Sequence, residues 1–230
     1  MKKWKKVLIV VLIVFIASVG AVAVWQRNNL TAIIKTMTNT DEEIAQQLNE
    51  TKQKLEGDLK EKYPSIVSDF SAEDEKKIMK GEMSVDDAVE KLNREYQSNR
   101  LQFDIKSSGN PEIDEKADEI IGDKVIELYS LKAYYLGQLG QLEATVKKEY
   151  AALPESKRNL IGKKELVSRH IGPANGLLSQ CDSRVSSLLG ELQGELKKIG
   201  ADTSIIKTIK DAYENEKALK KAYYLKLMND

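Results

Sequence analysis

From Val7 to Trp25 the chain runs for nineteen positions without a charged side chain. As a helix rising 1.5 Å per residue, that run is ~28 Å long, about the thickness of a bilayer's hydrocarbon layer. Lys2, Lys3, Lys5 and Lys6 precede it, and no acidic residue occurs before Asp41. The positive-inside bias then places residues 1–6 in the cytoplasm, residues 7–25 across the membrane, and everything that follows outside the cell. Trp4 and Trp25, the only tryptophans, bracket the run where indole rings settle at the headgroups. The competing reading is a signal peptide cleaved near Ala23, after the small residues Ala21-Val22-Ala23, which would leave a secreted protein. The run is long for such a segment, so the anchor is the expectation. No cysteine follows it closely enough for a lipoprotein.

Beyond the anchor, residues 26–39 carry Leu30, Ile33, Ile34 and Met37 at helical spacing, as an amphipathic juxtamembrane segment does. Residues 26–230 hold 32 basic against 36 acidic side chains, a net of −4. A domain with that balance lacks the positive field that attracts nucleic acid. Cys181 is the only cysteine, which excludes an internal disulfide and a cysteine-rich zinc site. Lysine outnumbers arginine 30 to 6, a usage typical of AT-rich bacterial genomes.

Helix signals dominate the rest. Thr40 with Glu43, Ser71 with Asp74, and Ser84 with Asp87 have the spacing at which a hydroxyl and a carboxylate cap a helix start reciprocally. The first of these helices stops at Pro64, the second at Gly81, and the second and third form a small helical hairpin. Residues 100–110 read as a linker, so 40–110 is a region of short helices. Asn110-Pro111 then opens a long helix, with Asn as cap and Pro at its first position. Apolar spacing predicts helices over 111–153, 158–200 and 203–228, with a disturbance at Pro173. Short turns between long heptad-like helices imply antiparallel neighbours. The predicted fold is all-α: one transmembrane helix, a small hairpin, and a long antiparallel three-helix, coiled-coil-like bundle over 111–230. No stretch alternates with the period of a strand.

Chemistry is sparse. Cys181 lies on an apolar stripe, where a thiol behaves as a small hydrophobe. His170, the sole histidine, is eleven residues away and could meet it only if the helix broke at Gly172–Gly176. Phosphate-loop, hydrolase-elbow and zinc-protease signatures are all missing, so no enzyme activity, cofactor or metal is expected. One feature repeats: Lys-Ala-Tyr-Tyr-Leu stands at 132–136 and at 221–225. In an up-down-up bundle the two copies share a height, and the middle helix passes it near residue 176. Tyr135 and Tyr223 lie on the apolar stripes and are the expected inward rings, with Tyr134 and Tyr224 outward. Tyr134, Tyr135, Tyr223 and Tyr224, rimmed by Lys132 and Lys221, are either packing rings or the lining of a binding recess. The expected function is an anchored extracytoplasmic interaction or spacer module with a protein partner. The alternative is a ligand-binding or sensor module that uses the tyrosine recess.

Overall fold

The computed structural model describes residues 39–103 and 109–227. Among them the protein is an all-α helical bundle without strands. Helix α1 spans Asp41–Lys62, α2 Ala72–Lys80, α3 Val85–Gln102, α4 Pro111–Ala152, α5 Leu160–Lys198 and α6 Ser204–Leu227. The predicted anchor at 7–25, residues 1–6, nearly all of the juxtamembrane segment and part of the 100–110 linker lie outside the described residues. No described helix is long and apolar enough to cross a membrane.

The chain divides into two compact units. One is Lys54–Lys210, and the other, among the described residues, is 39–53 with 211–227. In the smaller unit, Thr40 and Glu43 make the predicted reciprocal cap, with Thr40 N–H donating to Glu43 at 2.6 Å and Glu43 N–H to Thr40 Oγ1 at 3.2 Å. Ile44, Leu219 and Ala222 are fully buried together, with Leu48 packed against them. Asn215 Nδ2 donates to Thr51 Oγ1 at 2.7 Å. Residues early in α1 therefore match residues late in α6, an antiparallel pairing. The apolar face of the third long helix meets α1 here, a partner that its own periodicity does not name.

In the larger unit α1 ends at Lys62, ahead of Pro64 as predicted. The chain beyond it is buried without being helical. Tyr63, Ser65, Ile66, Val67 and Phe70 are all shielded from water. Ser71 and Ser84 cap α2 and α3 with both bonds of the box, and Gly81 closes α2 at φ +72°. Both short helices lie against α4, which lies against α5. Two glycines on α4 permit this close approach. A Cβ on Gly122 would overlap the Tyr96 ring of α3, and one on Gly140 would overlap the Met79 backbone carbonyl of α2.

Helices α4 and α5 are antiparallel. Lys124 Nζ lies 3.3 Å from Glu191 and 3.6 Å from Glu195, while Glu149 lies 3.2 Å from His170 and 3.5 Å from Arg169. The reversal is built by two side chains. Arg158 donates to the Ala151 and Leu153 carbonyls that α4 leaves unpaired, and Asn159 accepts from Ile161 and Gly162 N–H at the start of α5. The predicted disturbance at Pro173 is not a break, because α5 is continuous from Leu160 to Lys198. Proline there has no N–H for the Arg169 carbonyl, but its position is exposed.

Candidate functional site

The first half of α4 commits three of its polar side chains, Asp118, Lys124 and Lys132, to shielded contacts. Lys132, expected at the rim of a recess, is instead mostly shielded, with Nζ 2.5 Å from Asp69 and 2.9 Å from Glu75. It ties the buried 63–70 segment and α2 to α4, and Phe70 meets Tyr129 beside it at 6.3 Å between ring centroids. The Asp118 carboxylate is fully buried, with Ser65 Oγ at 2.6 and 2.7 Å from its two oxygens. Burial pushes the Asp118 carboxyl above its ordinary pKa, and the Ser65 hydrogen bond only partly offsets that.

Lys124 occupies a groove of about 320 Å³ lined by Glu119, Asp123, Glu127 and Glu195. Burial works against its charge, but Glu191, Glu127 and Glu195 outweigh it and hold the ammonium above its usual pKa. The cation that this acidic groove attracts is thus the chain's own lysine.

The tyrosines come out partly as expected. Tyr135 is 8% exposed and Tyr134 46%, inward and outward in turn, with rings edge to face at 5.1 Å. Burial raises the Tyr135 hydroxyl pKa, and the Cys181 thiol across on α5 adds to the rise. Lys221, Tyr223 and Tyr224 are in the α6 portion of the other unit, where Lys221 is half-buried. The side chains of Tyr223 and Tyr224 lie outside the described residues.

The expected register needs correction. Tyr135 faces Cys181 and Arg184, whereas Pro173 and Gly176 face Gln138, Gln141 and Thr145. The reversal occupies Leu153 to Asn159, with a 3-10 turn at Glu155–Lys157, so it falls later than the turning point near 155. The contacts across the pair, Lys124 with Glu191, Glu149 with His170 and Gln141 with Gly176, set α5 about two turns from the match that a turning point at 155 would give. The continuous helix also separates His170 from Cys181 by ~16 Å of rise, which removes the Cys–His pair as chemistry.

The second half of α4 differs from the first. From Gln141 to Ala152 no side chain is fully buried, nor is any described side chain between Leu166 and Val185 on α5. Leu139, Leu142, Val146, Leu177 and Leu178 are half-covered, and Ile171 is exposed. This hairpin tip is built from α4 and α5, and its apolar stripe is only partly covered.

The sequence at the root of this tip carries no charge. Residues 133–142 and 171–181 contain no Asp, Glu, Lys or Arg, in a chain where 31% of residues are charged. The two stretches overlap across the helix pair, because Gln138, Gln141, Leu142 and Thr145 share a groove of about 450 Å³ with Pro173, Gly176, Leu177 and Gln180. Together they form an uncharged belt at the root of the tip. Each stretch can be found by scanning for charge, but only the pairing of α4 with α5 puts them at one level. Protein-family models, curated proteins and solved structures contain no match to this chain.

Proposed function

We propose that the protein is a membrane-anchored interaction module that offers the α4–α5 tip to another protein. In this reading residues 7–25 are a single-pass anchor, the N-terminus is cytoplasmic, and the helical bundle with its small hairpin stands outside. The carrying observation is the half-covered apolar stripe inside the uncharged belt. Burying a Leu side chain is worth ~1.5–3 kcal/mol, so the uncovered parts of Leu139, Leu142, Leu177 and Leu178 form a reservoir of association energy. Interface cores are likewise depleted of charge, because a charge that loses water without gaining a partner opposes binding.

A photo-crosslinking residue at Gln141, in the full-length chain in living cells, should give a protein adduct. The same residue at exposed Asp86 should not. Equal labelling at both sites would sink the proposal. The topology has its own test, a cysteine at Asn229 in a Cys181→Ser background. Modification by an impermeant thiol reagent on whole cells supports export, and modification only after lysis overturns it.

The groove supports a second reading, the capture of a small uncharged ligand. Gln138, Gln141, Gln180 and Thr145 offer both donors and acceptors without a net charge, as a sugar or peptide group requires. Saturable binding of such a ligand, lost in Gln141→Ala, would favour it over protein contact.

A further inference from the structure

We propose that the partner seated on the belt is a second copy of this chain, laid antiparallel across the first about a two-fold axis through the groove. The inference rests on the interaction reading and names its partner.

Charge distribution carries it. The tip segment 143–170 holds seven basic and four acidic side chains, a net of +3. On the other side of the belt, 111–132 and 182–200 together hold six basic and ten acidic side chains, a net of −4. The hairpin is therefore positive, neutral and negative in order along its length. A parallel pair of copies would set like charge beside like charge. An antiparallel pair sets tip on base twice, and both contacts are attractive within the ~8 Å over which charges act at physiological salt.

The belt has the composition that the axis of such a pair demands. Near a two-fold axis each residue meets its own copy, so any charged side chain there would face the same charge. An amide is both donor and acceptor and can pair with itself. Gln138, Gln141 and Gln180 occupy the groove, and no charged group does. Gly172 and Gly176 leave open space where a Cβ would stand, which lets a second helix approach closely.

The test uses the full-length chain in living cells, with a photo-crosslinking residue at Gln180. An adduct of twice the chain mass is the expected result. Adducts with other proteins alone would overturn this inference and leave the interaction reading standing, and no adduct at all would overturn both. Orientation is tested in a Cys181→Ser background with two co-expressed variants, Ser156→Cys and Gln193→Cys. Each lies about 22–25 Å from the groove centre, on opposite sides. Mild oxidation should join 156 of one copy to 193 of the other, and 156-to-156 bridges in their place would overturn the antiparallel arrangement. Gln141→Glu brings two like charges to the axis and should weaken self-association by about tenfold or more at unchanged helix content. Unchanged association in that variant would place the axis elsewhere and overturn the proposal.

Discussion

The two halves of α4 are one continuous helix under opposite conditions. Before Gly140 the helix is flanked by α2, α3, the buried 63–70 segment and α5, and Ile121, Val125 and Ala133 are almost fully enclosed. Beyond it, through Ala152, no side chain of α4 is fully buried, and the apolar stripe is partly exposed. Backbone and propensity change little along the way. What changes is the number of neighbours, which decides whether a lysine is a buried clamp or a solvated surface charge, and whether a glycine is required or merely tolerated.

Substitutions at matched residues of the two halves should separate them. The largest contrast is between lysines. Lys132→Met leaves Asp69 and Glu75 mostly shielded without their ammonium and should cost about 3–5 kcal/mol in urea unfolding. Lys147→Met removes an exposed pair with Glu143 and should cost no more than about 0.5 kcal/mol. Similar losses at both would mean that base and tip are equally solvated, and the comparison would fail.

Inside the crowded half and at its edge, two glycines three residues apart show that contact depends on the face of the helix as well as on its level. Gly140→Ala drives a methyl into the Met79 carbonyl and should destabilise by roughly 1–3 kcal/mol. Gly137→Ala meets nothing within 4 Å and should stabilise by about 0.4–1 kcal/mol, because the unfolded chain loses freedom. Opposite signs in thermal unfolding are the expected result. The same sign at both would show that α2 does not hold its place on α4.

The smallest effect is a pH dependence confined to the base. The folded Asp118 carboxyl has a raised pKa, so the folded state keeps its proton while the unfolded chain has already lost it. Stability from this group is therefore complete below the ordinary carboxylate pKa and declines as pH rises through the folded value. Asp118→Asn removes that component. Relative to the wild type, the variant should gain as pH increases from about 4 to 7. A difference that does not vary with pH would mean that Asp118 ionises as freely folded as unfolded.

How much of this was legible depends on the reach of each signal. Helix starts were plain because a cap is a bond between residues three apart: Thr40 with Glu43, Ser71 with Asp74, Ser84 with Asp87, Asn110 with Ile113. Gly200, at φ +74°, closes α5 for an equally local reason. The segment Tyr63–Phe70 was missed as core because it has neither helical nor strand period, and its burial comes from α3 and α4, as Ser68 N–H bonding to Glu95 and Ser65 bonding to Asp118 show. The tyrosine level was misplaced because a few residues in one turn shift every contact along two long helices. Tyr134 and Tyr135 still took the expected faces, since their ~100° separation belongs to the helix itself.

The sequence alone determined the class of structure, the starts of α1 through α6, the ends of α1, α2, α4 and α5, and the tyrosine ring of the first copy that turns inward. Each of these follows from hydrogen bonds and side-chain directions set within one or two helical turns. Only the tertiary structure decided that α6 meets α1 at Ile44, that Lys132 serves two carboxylates rather than a rim, and that two uncharged stretches some forty residues apart share one level. Those outcomes depend on which apolar faces find each other across the chain. Many pairings bury similar area, and glycines at 122 and 140, an arginine clamp at 158 and the register of one turn select among them.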